Sequence, residues 1–574
     1  MTANIEIYKD IAIHAIESVY ESEYHNTLGI PMPQIKILMP DDADYITGQY
    51  YIMIDDTWQI HLNFGKLPIS FKEFEDEVKV LTRHEIEHYM CCPFDVITHL
   101  RMLKCIIDVY RKDFSHLGID IQHACGSISN QAADIIVDTK NYLRNPQDTL
   151  ISEINWIKKG ANIKNCPRHS KLMFLTKEAL WETSLEINET DQDLLAIVHE
   201  LADKFKVNGI EDKASFLSKT REYARTFFNL YIKDKLSPHN EGQQDSQSQQ
   251  GNQSQQGSQS QQGSQSQQGG YNISPAKPKD GDENGSAFVF ADPDKIKEAI
   301  TALAGETDVQ EFADVLSAAG IKSLNESEKY KLWFSIQGDN IIPIEEYINS
   351  GNKEEYTFPS TWRIGDPIGT LDIMLSFQTS PKILPGITTK KWEKTTNAIN
   401  GVEKKNRDLL LVLDTSGSMK NVLDESSNMH QAVLAAYGII SYFEKIQGKI
   451  ALIEFSERVG VNINWTNDYE DVRNQLLVNG QGGTTFPISA IRNTIDNSKN
   501  EIVTIIITDG ELGNLQESLN YFREYIDNDN ILYIFIIGQS RTLANYERLK
   551  DIGAKVFQSN KAEEFCNMVM DDIG

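Results

Sequence analysis

Residues 246–269 read SQSQQG, NQSQQG, SQSQQG, SQSQQG, four hexapeptides made of Ser, Gln, Asn and Gly alone. Such a stretch has no apolar surface whose burial could offset the entropy of ordering it, so no compact core can run through it. The low-complexity zone extends over 237–287, through Pro275-Ala276-Lys277-Pro278 and Asp280-Gly281-Asp282-Glu283-Asn284-Gly285. The chain is therefore expected to form two halves with separate cores, joined by a flexible tether that lets them move independently. A length of 574 residues suits roughly three to four domains. The expected division is a 1–236 domain, the 237–287 linker, a helical and irregular region at 288–405, and a 406–574 domain.

The last of these has the clearest pattern. Apolar runs at Leu409–Leu413, Lys449–Phe455, Glu501–Ile507 and Ile531–Ile537 read as strands. Met429–Ile446, Pro487–Asn497 and Leu515–Tyr525 are helical candidates between them. This alternation predicts a parallel, doubly wound sheet wrapped by helices, with ligands bound at the carboxyl ends of the strands. Two of those ends carry chemistry: Asp414-Thr415-Ser416-Gly417-Ser418 and Thr508-Asp509-Gly510. A third element, Gly482-Gly483-Thr484-Thr485, lies between them. Carboxylates and hydroxyls without nitrogen or sulfur suit a hard cation such as Mg²⁺. Glu511 reads as an exposed loop acid beside the site.

These three elements, in this order, resemble the metal-ion-dependent adhesion site of a von Willebrand factor A (VWA) domain. The resemblance covers residues 406–574 and implies that Asp414, Ser416, Ser418, Thr484 and Asp509 hold Mg²⁺, directly or through water. It also implies one open coordination position for a carboxylate from a protein partner. The competing readings are a VWA fold with an unused site and a receiver-like sheet with Asp414 as a phosphorylated aspartate, which leave the hydroxyls and the Gly-Gly-Thr element unexplained.

In the first half, residues 3–24 read as helix, Gln34–Met39 and Trp58–Phe64 as strands, and helices dominate from Ser70. Ser70-Phe71-Lys72-Glu73 is a capping box. Phe74, Val78 and Leu81 continue at helical spacing, and Pro93 limits the end. That helix carries His84-Glu85-Ile86-Glu87-His88, an H-E-x-x-H motif. Its two imidazoles lie one turn apart on one face and can share a Zn²⁺, with Glu85 placed as general base toward the attacking water. A third ligand is needed. Asp134 and Asp138 stand at i and i+4 in a segment otherwise apolar at Ala132, Ala133, Ile135, Ile136 and Val137, and carboxylates in such surroundings need partners. Asp134 is the candidate ligand, Asp138 the group that orients a ligating histidine, and His123 the reserve ligand. The alternative for this acid pair is a solvated face continuing into Lys140 and Asn141. His99, His116 and His199 read as surface or capping residues, and Cys91 and Cys92 as buried apolar residues. Trp58–Phe64 reads either as an edge strand for an extended substrate chain or as an ordinary amphipathic strand.

An acid followed four residues later by an orienting aspartate resembles the gluzincin order, with Asp in place of the usual Glu. Taken together, the motifs resemble a prokaryotic family that joins a zincin-like α+β metallopeptidase domain to a C-terminal VWA-like domain. Two positions depart from its pattern: Glu87 is charged where an apolar residue is usual, and Asp138 stands where Asn is frequent. The architecture is also similar to VWA partners of MoxR-type AAA+ ATPases, which implies a hexameric ATPase partner. The chain itself has no G-x-x-x-x-G-K-[ST] loop.

Three functions stay open: a zinc metallopeptidase acting on a peptide or protein, a non-catalytic adaptor of an AAA+ machine, and a chelatase-type subunit. A formal charge of −28 argues against nucleic acid as a partner. The first residues lack a basic head and apolar core, so no signal peptide is expected, and no apolar run is long enough for a membrane span. Six scattered cysteines without a C-x-x-C pair fit a reducing, cytoplasmic setting.

Overall fold

The structure is a computed structural model. It describes residues 2–25, 32, 34–38, 51–54, 59–63, 70–160, 163, 166–236, 293–321, 324–342, 354–362, 376, 389–396, 407–498, 501–527 and 530–573. The expected linker at 237–287 lies outside the described residues, as do Gly365–Pro367 and Pro381–Gly386. The chain divides into two compact units, residues 1–329 and 330–574, with the division falling inside helix Glu326–Ile341.

The first unit is mainly helical. A small mixed sheet joins β1 (Gln34–Leu38), β2 (Tyr51–Ile54) and β3 (Gln59–Asn63) in the order β1-β3-β2. Strand β3 therefore lies in the middle, parallel to β1 and antiparallel to β2. This corrects the edge-strand reading of Trp58–Phe64. Both of its flanks are already hydrogen-bonded, and a substrate chain cannot add to a strand with no open edge.

Helix Phe71–Met90 begins where the capping box predicts, with the Ser70 hydroxyl accepting from the Glu73 N–H at 3.4 Å. Its Phe74 and Val78 are fully buried against Tyr8, Ala12 and Ile16 of the first helix, Thr2–Val19. The Tyr8 and Phe74 rings meet edge to face at 4.9 Å. Helix Ile121–Arg144, capped by Asp120, buries Ala132, Ala133, Ile135, Ile136 and Val137. Lys140 and Asn141 are buried with them, so the solvated-face reading of this helix is not what the fold adopts.

Helices Pro293–Ala304 and Val309–Ala318 belong to this same unit, where they pack on helices Val96–Val109 and Ile121–Arg144. Helix Glu326–Ile341, from Tyr330 on, belongs to the second unit instead. That helix sets Phe334 against His430 and Tyr437, and its Gly338 approaches Gly438 so closely that a Cβ there would sit 2.9 Å from the Gly438 nitrogen. Residues on both sides of the span 237–292, up to Leu236 and from Pro293, therefore belong to the first unit, whereas the expected division placed them in separate domains.

The second unit is built on a six-stranded sheet, order β11-β10-β9-β6-β7-β8. The strands are β6 (Arg407–Asp414), β7 (Ile450–Phe455), β8 (Val459–Thr466), β9 (Glu501–Thr508), β10 (Ile531–Ile537) and β11 (Lys555–Ser559). All pairs are parallel except β7 with β8. The four expected strands are the inner ones, nearly continuously buried, as a sheet covered on both faces requires. The outer β8 alternates polar and apolar residues and was not legible as a strand of a parallel sheet. In the span expected to be irregular, β4 (Glu354–Thr361) and β5 (Lys390–Thr396) form an antiparallel pair.

Candidate metal centres

Two helices far apart in sequence build the first centre. His84 and His88 follow one another by one turn on helix Phe71–Met90, their rings perpendicular and 4.5 Å apart. Asp134 reaches them from helix Ile121–Arg144. The Asp134 Oδ1 atom lies 3.2 Å from His88 Nε2 and 3.6 Å from His84 Nε2, and the two Nε2 atoms are 3.0 Å apart. Among the described residues this trio is the one cluster of His, Cys, Asp and Glu side chains whose ligand atoms converge enough to hold a metal. Tetrahedral ligands at zinc bond lengths stand about 3.3 Å from each other, which matches the spacing.

The hydrogen bonds behind the imidazoles point the same way. His84 Nδ1 donates to Asp138 Oδ1 at 2.6 Å and His88 Nδ1 donates to the Cys92 carbonyl at 2.9 Å. Each ring therefore spends its Nδ1–H on an oxygen and turns Nε2 toward Asp134. Asp134 Oδ2 is held by Asn130 Nδ2 at 3.0 Å, while the buried Oδ1 has no hydrogen-bond partner. Two imidazole lone pairs and a buried carboxylate oxygen facing one another repel unless a cation sits among them. The donor set thus fits a divalent metal such as zinc. Burial alone would lower the basicity of His84, but the carboxylates of Asp138, Asp134 and Glu85 outweigh it and push the pKa up to about 10.

Glu85 is partly buried beside this trio, and Cys91 and Cys92 are buried as expected. His123 is exposed in the first turn of its helix and does not join the cluster. His116 and His199 are exposed, but His99 is not a surface residue. It is buried on helix Val96–Val109, and desolvation together with the nearby His88 lowers its pKa to about 4.

Glu87, the charged residue inside the motif, is fully buried. It pairs with Lys140 at 2.7 Å and with Arg144, both on the Asp134 helix, and accepts from the Tyr24 hydroxyl at 3.1 Å. Its charge ties together the two helices that carry the ligands. The pattern of the motif treats this position as apolar, and nothing in the spacing signals the clamp.

The second centre lies at the carboxyl ends of the adjacent strands β6 and β9. Asp414 is fully buried. Its Oδ1 accepts from the Ser416 N–H at 2.9 Å and its Oδ2 from the Thr508 hydroxyl at 2.6 Å. Burial raises its pKa to about 6 despite these donors. The Ser416 and Ser418 hydroxyls are 3.1 Å apart. The glycine-rich loop is drawn onto this turn by Gly417 N–H to the Gly482 carbonyl at 3.0 Å and Gln481 N–H to the Thr415 carbonyl at 2.8 Å. A Cβ on Gly480 would stand 2.2 Å from the Ser416 carbonyl oxygen, so only glycine permits the approach. Thr484 is partly buried, and its carbonyl accepts from Gly513 N–H at 2.7 Å. Asp509 is buried and accepts from the Glu511 N–H at 3.1 Å, while Glu511 itself is exposed. Thr508 is the site residue that motif reading passed over. Its signal was its place beside Asp509 at the end of a strand paired with β6.

Residues 409–511 match the von Willebrand factor type A domain, so the second unit carries a VWA-like domain. Domains of this class mediate protein–protein contacts and typically bind a divalent metal such as Mg²⁺ at such a site. Among solved structures, the chain is similar to the conserved hypothetical protein BatB from Bacteroides thetaiotaomicron. Identity is 15%, covering 29% of this chain and 96% of that one, with a TM-score of 0.24. It is also similar to an aerotolerance-related membrane protein from Bacteroides fragilis NCTC 9343 carrying multiple mutations to serines. There identity is 15%, coverage 29% and 98%, and the TM-score 0.23. No curated protein matches the chain. Among the described residues, no helix is long and apolar enough to cross a membrane.

Proposed function

We propose that the chain is a zinc-dependent metallopeptidase whose VWA-like domain recruits a protein through Mg²⁺. The observation that carries the enzyme reading is the convergence of His84 Nε2, His88 Nε2 and the hydrogen-bond-orphaned Asp134 Oδ1. His84, His88 and Asp134 would hold the zinc in a zincin-like domain, with Asp138 orienting His84. Bound there, zinc supplies a Lewis acid and eases the ionisation of water near neutral pH. Glu85 takes the proton from the attacking water and delivers it to the leaving amine. In the other unit, Asp414, Ser416, Ser418, Thr484 and Asp509 would hold Mg²⁺, which would take up a partner's carboxylate. The resemblance to partners of MoxR-type ATPases makes an AAA+ ATPase the partner of choice, with a peptide or unfolded protein as substrate. Six cysteines, all free and buried, support a reducing, cytoplasmic setting.

Elemental analysis of the purified protein is expected to give one zinc per chain. Glu85→Gln should keep that zinc and lower the rate of cleaving an unfolded protein ~10²- to 10⁴-fold. A protein that holds no zinc, or cleaves nothing with or without its ATPase, leaves the adaptor or chelatase-type reading in place. Asp414→Ala should abolish Mg²⁺-dependent co-purification of a partner, and an unchanged pull-down would sink the recruiting role.

A further inference from the structure

Behind the first centre, Asp138 uses both of its oxygens. Oδ1 accepts from His84, and Oδ2 accepts from the Nζ of Lys177 on helix Arg168–Trp181. Lys177 is 2% exposed, and among the described residues its other hydrogen bond is to Glu153 Oε1, at 3.0 Å, on helix Pro146–Gly160. A lysine is almost never buried to this degree unless paired, and burying this ammonium costs several kcal/mol before its partners repay it. The position is far from the H-E-x-x-H motif in sequence, and nothing about Lys177 in its own segment points to a metal.

We propose that Lys177 is a positioning residue for the metal centre. It pins the Asp138 carboxylate so that Oδ1 meets His84 Nδ1, which presents His84 Nε2 to the metal. The geometry explains the choice of groups. A carboxylate has an acceptor for each neighbour, whereas an amide at 138 would turn its NH₂ toward either the ammonium or the imidazole N–H. Glu153 anchors the lysine from the far side, so the head group cannot swing away from Asp138. Outer-shell partners of this kind set metal affinity by holding a ligand in its bonding orientation.

The inference rests on the zinc reading and has its own test. Zinc affinity is measured by chelator competition on the full chain for wild type, Lys177→Met, Asp138→Asn and the double variant. Lys177→Met is expected to weaken zinc ~10- to 100-fold. In the Asp138→Asn background the same change should cost less than about twofold, because the lysine acts through that carboxylate. Affinity within about twofold of wild type in Lys177→Met overturns the proposal, as does an equal loss in both backgrounds. Should Lys177→Met fail to fold, Lys177→Arg keeps a cationic donor there and should stay within about threefold of wild type. A tenfold loss in a folded Lys177→Arg protein also overturns the proposal. Absence of zinc from the wild type would instead remove the reading beneath it.

Discussion

A fragment ending at Leu236 should not reach the folded, metal-binding state, although the low-complexity segment after it looks like a natural domain boundary. Helices Pro293–Ala304 and Val309–Ala318 bury Leu303, Val309, Phe312, Val315 and Leu316 completely in the first unit. At about 1.5–3 kcal/mol per side chain, their loss removes roughly 7–15 kcal/mol, the size of a whole domain's stability. Arg101 with Glu306, Lys104 with Glu311 and Arg111 with Asp314 fix the register of the docking. One of the helices that would be uncovered, Ile121–Arg144, carries Asp134. Residues 1–236 are expected to show no cooperative thermal transition by circular dichroism and no stoichiometric zinc. Residues 1–329 should show both, and deleting the hexapeptides at 246–269 should change stability by less than about 1 kcal/mol, because closure entropy varies slowly with loop length. A cooperative, zinc-loaded 1–236 fragment would contradict this account.

Glu87→Ala should destabilise the first unit by about 3 kcal/mol. Removing one member of a buried ion pair leaves the other charged and uncompensated. Lys140 is buried and, among the described residues, would keep Glu211 as its ion-pair partner at 3.6 Å, while Arg144 is about half exposed and can rehydrate. Urea unfolding followed in the first unit checks the magnitude. The double replacement Glu87→Leu with Lys140→Met should recover most of the loss, since removing both charges also removes the desolvation cost. If Glu87→Ala costs less than about 1 kcal/mol, the clamp between the ligand helices is not what holds them.

Local chemistry made several features readable before any fold was known. The Ser70 cap, the apolar stripe of Phe74 and Val78, the inner strands β6, β7, β9 and β10, and the glycines around Asp414 all follow from propensity, periodicity and backbone sterics. The metal candidates were legible for the same reason: H-E-x-x-H places its histidines by helical spacing alone. Other features depend on neighbours distant in sequence. Strand β3 looks equally plausible at an edge or in the middle, because its pattern describes its two faces and says nothing of its flanks. Strand β8 hid in a polar alternation because it closes an otherwise parallel sheet from outside. His99 resembled a surface residue until helix packing enclosed it.

From composition and period alone it follows that 246–269 offer no apolar surface to a core, that a doubly wound sheet would deliver Asp414 and Asp509 at strand ends, and that His84 and His88 would share a helix face. These are consequences of composition and period, acting within a few residues. Only the tertiary structure decided that Asp134 Oδ1 meets both imidazoles and that Glu87 and Lys177 stand as buried charges behind them. It also placed the helices at 293–304 and 309–318 in the same unit as those before Leu236. Those outcomes come from burial, which is settled by the mutual fit of helices remote in sequence. Composition shows where apolar faces are missing, but the apolar faces on either side choose which core they join.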